Sequence, residues 1–185
     1  MNTNYLFTSQ RLGFRNWVKN DLTAFAKMNA DESVMKYFPK PLTKNETVNF
    51  IERLQNHYLK YGYNYFAVEI LETGEFIGFI GLAYQDYETN FTPATDIGWR
   101  LIKSAWGKGF ATEGANRCLE YAFITLNLDK IIATCTENNS KSEQVMIKIG
   151  MNKLTTFKHP KLKAYPHLEN CLCYEISKNE WIKYY

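Results

Sequence analysis

The stretch Trp99 to Glu113, WRLIKSAWGKGFATE, constrains this chain more than any other part of it. It continues an alternating run, Ala94 to Ile102, in which Ile97, Trp99 and Leu101 face one way and Asp96, Gly98 and Arg100 the other, the period of a strand. Past the glycines, Ala111, Ala115, Cys118, Leu119, Ala122 and Leu126 recur at helical spacing. Lys130 to Cys135 then reads as a β-branched strand. Strand, helix and strand in this order make a βαβ unit, so the two strands lie parallel with a right-handed crossover.

The remaining elements are read around that unit. Leu12 and Phe14 alternate within Arg11 to Asn16, a short strand. Asn20 or Asp21 is placed to cap a helix with Leu22, Phe25 and Ala26 as its apolar face. Thr43 opens a second helix, with Glu46 completing a capping box and Val48, Ile51, Leu54 and Tyr58 aligned; it ends near Gly62. Tyr65 to Ile70 and Phe76 to Leu82 form a hairpin around Glu72-Thr73-Gly74-Glu75. Tyr84 to Pro93 has no period and reads as a loop that lines a site. Ser140 to Ile149 is a further helix, with Val145, Met146 and Ile149 inward and Gly150 as its stop. Leu154 to Phe157 and Leu172 to Ile176 close the sheet. At 185 residues, without repeat or linker, the chain reads as one α/β domain.

Composition removes several classes of function. The net charge is only +3 and the basic residues are scattered; the longest basic cluster, Lys158 to Lys163, is interrupted by Pro160 and Leu162. No nucleic-acid partner is expected. The four cysteines, Cys118, Cys135, Cys171 and Cys173, have neither C-x-x-C spacing nor a histidine at ligand distance, so no metal site is expected. Cys118 and Cys135 sit in apolar runs and read as buried thiols. With no apolar leader after Met1 and no membrane-length apolar run, a cytoplasmic protein is expected.

A short glycine turn between strand and helix suits an anion, because the first helical amides have no internal partner and the dipole is positive there. The amides of Gly107, Lys108, Gly109, Phe110, Ala111 and Thr112 can converge on one point. A P-loop needs Ser or Thr after the lysine, and Gly109 follows Lys108. A dinucleotide fingerprint needs a third glycine where Thr112 stands and an acidic residue after the next strand, where Thr134-Cys135-Thr136 offers none. The pyrophosphate of coenzyme A remains, although a tight structural turn explains the loop alone equally well. Asn139 and Ser142 open the next helix at the same sheet edge; Asn139 reads as an N-cap or as part of a ligand crevice.

Three stretches together resemble a known family, the GCN5-related N-acetyltransferases (GNAT), and within it the group of ribosomal-protein-alanine N-acetyltransferases. They are ATDIGWRLIKSAWGKGFATEGANRCLEYAF from Ala94, NNSKSEQVMIKIGM from Asn138 and SQRLGFRNWVKNDLTAF from Ser9, in matching order along nearly the whole chain. Trp106 stands where the family often has Gln or Arg, and Asp96 where Glu is usual. The resemblance implies a central, mixed, mostly antiparallel twisted sheet with one parallel pair and helices on both faces. It also implies acetyl-CoA as cosubstrate, a primary amine as acceptor, and a monomer or homodimer.

By the same resemblance, Trp106 and the run Gly107 to Thr112 hold the pyrophosphate, together with Asn139 and Ser142. The amides of Leu101, Ile102 and Lys103 hold pantetheine and polarise the acetyl carbonyl. Asp96 accepts the amine's proton, directly or through one water, or else binds the ammonium group or pairs with Arg100. Ser142 donates to the departing thiolate or to pantetheine, or else serves in capping its helix. Tyr84, Tyr87, Phe91 and Trp99 line the acceptor site under a cover from Phe38 to Tyr61. His159 and His167 are assigned no catalysis. The alternative to an enzyme is a non-catalytic acyl-CoA-binding or sensing module.

Overall fold

A computed structural model describes residues 4–184; the expectation that no leader follows Met1 falls partly outside them. The elements run β1 (Phe7–Thr8), β2 (Leu12–Arg15), α1 (Asp21–Ala30), α2 (Glu32–Met35), α3 (Lys44–Tyr61), β3 (Tyr65–Ile70), β4 (Phe76–Gln85), β5 (Ala94–Leu101), α4 (Phe110–Glu120) and β6 (Lys130–Thr136). They continue as α5 (Ser140–Lys148), β7 (Asn152–Lys158), α6 (Pro166–Glu169), β8 (Asn170–Ser177) and α7 (Lys178–Tyr184). All eight strands form one sheet in the order β1-β2-β3-β4-β5-β6-β8-β7. Every neighbouring pair is antiparallel except β5 and β6, which are parallel and share the single register pair Asp96↔Ile132.

Each face of the sheet has its own core. On one side α4 and α5 bring Phe110, Ala115, Cys118, Leu119, Met146 and Ile149 against Leu12, Phe14, Phe66, Ile80, Leu82 and Ile97. On the other, α1 and α3 bring Phe25, Met28, Ile51 and Leu54 against Trp17, Ala67 and Phe79. The capping box at Thr43 and Glu46 forms as expected, and α3 stops at Gly62 in the left-handed region, φ +78°.

Four sequence expectations need correction. Strand β4 runs on to Gln85, so Tyr84 lies on a strand; Ala83, Tyr84 and Gln85 pair with Asp96, Thr95 and Ala94, and this pairing overrides their mixed polarity. Helix α4 proper ends at Glu120, and Tyr121–Thr125 winds as a π turn in which Leu126 N–H reaches Tyr121 O. That wider turn lets the adjacent residues Ala122 and Phe123 both point inward. Cys135 is half-buried rather than enclosed.

The fourth concerns the start of α1, where neither proposed residue caps with its side chain. Asn20 makes no cap bond, and the Asp21 carboxylate turns to Arg15 Nη1 and Nη2, at 2.8 and 2.7 Å, and to Val18 N–H, at 2.9 Å. Arg15 also donates from Nε to Glu69 Oε1 at 2.8 Å. One buried guanidinium therefore ties β2 to both α1 and β3. Truncating it would leave two carboxylates buried without their cation. Arg15→Leu is expected to lower the unfolding free energy by about 3–5 kcal/mol, read as a fall in the urea midpoint.

Candidate active site

The glycine turn has the geometry of an anion cradle. Gly107 and Gly109 have φ of +73° and +81°, left-handed values that disfavour any residue with a Cβ. The first helical bond of α4 runs from Glu113 N–H to Gly109 O at 3.0 Å. The amides of Phe110, Ala111 and Thr112 thus precede the helix's own ladder and face its open end. Gly107, Lys108 and Gly109 are exposed.

A residue that sequence reasoning missed braces this turn. Arg11, on the approach to β2, donates from Nε to Glu113 Oε2 at 2.6 Å and from Nη1 to Lys108 O at 3.1 Å. Its guanidinium also lies 4.5 Å from the Phe110 ring centroid. Ser9 Oγ and the Arg11 amide both donate to Glu113 Oε1, at 2.7 Å each. Glu113 is thereby held by three donors and its pKa lies below the usual carboxylate value, while the Arg11 cation stands beside the cradle. The pairing spans about a hundred residues of sequence, so no local pattern announces it.

The start of α5 opens beside the same turn, with Lys141 Nζ 5.0 Å from the Trp106 ring centroid. Asn139 is the N-cap: its Oδ1 accepts from Ser142 N–H at 3.3 Å, so that oxygen is committed to the helix. The Ser142 side chain is half-buried. Between the two helix starts, β5 and β6 diverge beyond Asp96 and Ile132. Ile102 N–H is turned away from that gap, donating to Ile77 O at 2.9 Å, which removes it from the expected pantetheine donors. Backbone groups alternate along a strand, so Leu101 and Trp99 present theirs to the gap. The Leu101 carbonyl accepts from Trp106 Nε1 at 2.9 Å. Lys103 lies in a short 3₁₀ turn, Lys103–Ala105, and is exposed.

Asp96 projects from the opposite face of the sheet to α4. It is 7% exposed, and its two oxygens accept from Tyr65 Oη at 2.7 Å and Gln85 Nε2 at 3.0 Å. Burial pushes its pKa up to about 7; the Tyr65 and Gln85 hydrogen bonds, the Ala83 amide and the Lys161 charge offset only part of that. The expected alternative of a pair with Arg100 does not form. The Tyr65 ring passes over Gly98 to reach Asp96, and a Cβ on Gly98 would stand 3.0 Å from ring Cε1. Tyr65 and Gln85 were not foreseen, because only the strand register sets them against Asp96.

Arg100 lies on the same face as Asp96 and is 9% exposed. Its Nη1 donates to Asn29 Oδ1 at 2.8 Å, and its Cζ sits 3.9 Å from the Phe38 ring centroid, 5.3 Å from Phe79 and 5.7 Å from Phe50. Among the described residues Nε has no hydrogen-bond partner, and no carboxylate lies within ion-pair distance. Burial lowers its pKa to about 10, so it stays charged at neutral pH. A desolvated cation–π contact contributes about 2 kcal/mol, whereas burying an ion costs several. The aromatic cage therefore offsets only part of that cost.

The four expected acceptor residues divide. Tyr87 and Phe91 meet near Asp96's side of the sheet. Tyr87 is buried against His159, ring centroids 4.5 Å apart, and Phe91 packs edge-on to Phe157 at 4.8 Å. Lys161 Nζ lies 5.5 Å from the Tyr87 centroid. Tyr84 stacks on Tyr61 at 5.1 Å, and its amide donates to His57 Nε2 at 2.9 Å, which joins β4 to the end of α3. Trp99 points to the α4 face, opposite Asp96, and packs on that core; it does not share a wall with the carboxylate. Strict alternation along β5 requires this separation.

The family model described as "Acetyltransferase (GNAT) domain" matches residues 11–152, most of the chain. The chain belongs to the GNAT acetyltransferase family. An uncharacterised N-acetyltransferase of Bacillus subtilis is 33% identical over 152 residues, covering 82% of this chain and 85% of that protein. The FsC-acetyl coenzyme A-N(2)-transacetylase of Aspergillus fumigatus is 30% identical over 164 residues, 85% of this chain and 69% of the relative. The crystal structure of a GNAT acetyltransferase from Bacillus anthracis superposes with a TM-score of 0.76 at 30% identity, covering 93% of this chain and 98% of that one. This GNAT protein is an acetyltransferase, and enzymes of the fold use acetyl-CoA. No helix among the described residues is long and apolar enough to cross a membrane. None of their His, Cys, Asp or Glu side chains gather in threes to hold a metal ion.

The cradle of this acetyltransferase yields a direct test. Gly109→Glu puts a Cβ where φ is +81° and a carboxylate beside the place where an anion is expected. A left-handed residue alone costs about 1–2 kcal/mol. Acetyl-CoA affinity measured by calorimetry is expected to fall at least about tenfold, while the variant's far-ultraviolet circular dichroism stays unchanged.

Proposed function

We propose that the protein transfers the acetyl group of acetyl-CoA to a primary amine by direct attack on the thioester, with Asp96 as the general base. One observation carries this reading: a buried carboxylate on β5, held by two neutral donors, with a pKa raised to about 7. A base poised near neutral pH is half ionised where it works and close in proton affinity to the amine it must deprotonate.

In this reading the pyrophosphate sits at Gly107 to Thr112, with Lys108 and Arg11 supplying positive charge. Trp106 and the start of α5, Asn139 and Ser142, flank the cosubstrate; Asn139 contributes its amide nitrogen, since its oxygen caps the helix. The pantetheine arm enters the gap between β5 and β6, with Lys103 at the mouth and the Leu101 amide along the arm, and the Trp99 amide, which faces the same gap nearer Asp96, meets the acetyl carbonyl. Trp99 N–H then stabilises the charge that develops on the carbonyl oxygen. The amine nitrogen bonds to the carbonyl carbon, its proton passes to Asp96, and the C–S bond breaks. The departing thiolate is stabilised by a hydrogen bond from the Ser142 hydroxyl and takes up a proton from solvent, and Asp96 returns its own to solvent.

The pKa of Asp96 also ranks acceptors. Moving a proton from an α-amine, near ~7.8, to a carboxylate at about 7 is uphill by about 1 kcal/mol. From a lysine side chain at ~10.4 it is uphill by about 4.6 kcal/mol. An α-amine or similarly weak amine therefore suits this base, with Tyr87 and Phe91 near the acceptor and Phe38 to Tyr61 as cover; Tyr84, paired with Thr95, lies on the Trp99 face of the sheet instead.

Thiol release with a panel of amines tests the transfer. Asp96→Asn is expected to lower kcat/KM by about a hundredfold or more; a value within about threefold of wild type would remove the base role. The wild-type pH profile is expected to fall on the acid side near pH 7, as Asp96 protonates, and the variant to lack that limb. Tyr65→Phe deletes a donor that favours the ionised carboxylate, so its acid limb is expected to move to higher pH.

A further inference from the structure

Two arginines of this chain are buried, and they are treated differently. Arg15 uses the Nε–Nη2 edge of its guanidinium for Glu69 and its Nη1–Nη2 end for Asp21. Arg100 spends Nη1 on the neutral Asn29 amide and turns its π face to Phe38. Among the described residues no acceptor meets its Nε–Nη2 edge, the pair of parallel N–H groups that fits a carboxylate side-on. A cation this buried, aligned by an amide and an aromatic cage yet left without an anion, is built to receive one.

Its position says from where. Arg100, Gly98 and Asp96 follow one another along the same face of β5, so the two charged groups are rooted about 13 Å apart. The half-buried Tyr65 ring lies between them over Gly98, with its hydroxyl on Asp96. Ile102 and Trp106, from the approach to the glycine turn, pack into the same cluster as Tyr65, Phe50 and Phe79. The floor that carries the base at one end thus carries a cation at the other, beside the elements that lead to the cosubstrate.

We propose that Arg100 is an acceptor-binding residue that recognises a carboxylate, so that the acceptor is a zwitterion such as a short peptide, with its amine at Asp96 and its carboxylate at Arg100. This rests on the reading of Asp96 as the place where the amine sits. The same charge disfavours polyamines, because a second ammonium group would be driven toward a buried cation. Asn29 and Phe38 position the guanidinium; Asn29 in turn donates to Thr47 Oγ1 of α3 at 3.3 Å, so the covering helices hold the cation in place.

The test compares di-, tri- and tetra-alanine with their C-terminal amides, and both with spermidine, by thiol release from acetyl-CoA. These peptides all offer a weakly basic α-amine and differ at the far end. In the wild type one peptide length is expected to favour the acid over its amide by at least tenfold in kcat/KM, mainly through KM, with spermidine poorer than either. Arg100→Gln is expected to erase that preference, and Arg100→Lys to restore part of it, with acetyl-CoA affinity unchanged in both. Equal rates for acid and amide at every length, or spermidine as the best acceptor, overturn the proposal without any variant. If no amine is acetylated, the transfer reading fails by itself and calorimetry of the same peptides into CoA-loaded protein decides the anion site. Binding of the acid that is lost in the amide and in Arg100→Gln upholds it; equal or absent binding overturns it.

Discussion

Strands β5 and β6 are joined by one register pair, Asp96↔Ile132, and the proposed function depends on their parting beyond it. A parallel pair that separates leaves one row of backbone groups on β5 without a neighbour, and it does so where two helix starts meet. The α4 start offers free amides, and the α5 start comes alongside through Lys141 and Trp106. On the β4 side the same strand is fully paired over eight residues, so it is rigid where it carries Asp96 and Arg100 and open where a ligand is to be held.

The molecule compensates buried charge selectively. Arg15 is surrounded by two carboxylates and ties three elements together, a structural use of charge. Asp96 accepts from two neutral side-chain donors; burial raises its pKa, and those hydrogen bonds offset only part of the rise. Arg100 has an amide and three aromatic rings but no anion among the described residues. Charges that serve the fold are neutralised locally; those facing the proposed acceptor side are aligned and left incompletely balanced. Such imbalance lets a binding partner contribute what the protein withholds.

Much of this was legible in the chain. The capping box at Thr43, the helix stops at Gly62 and Gly150, the turn at Gly107 and Gly109 and the hairpin around Gly74 are local features, and each forms as read; the four stop and turn glycines all adopt positive φ. The strand alternation through Asp96 and Arg100 likewise placed both on one face. What failed was non-local. Tyr84 joined β4 because β5 paired with it; Asp21 left its capping role for Arg15; Ile102 N–H was taken by Ile77 O. Trp99 was assigned to the acceptor although its own alternation with Asp96 already set it on the other face.

The sequence by itself determined the βαβ unit, the glycine cradle and the residues that could serve as base, because backbone conformation and periodicity are properties of near neighbours in the chain. Only the tertiary structure decided what those residues are worth chemically. The raised pKa of Asp96 comes from burial by the packed segments around it, against which the Tyr65 and Gln85 hydrogen bonds from two other strands work. That Arg100 is a buried cation rather than a surface charge depends on Asn29, Phe38 and Phe50 from the covering segments. Proton affinity and charge are set by desolvation, and desolvation belongs to the packed molecule rather than to any stretch of the chain.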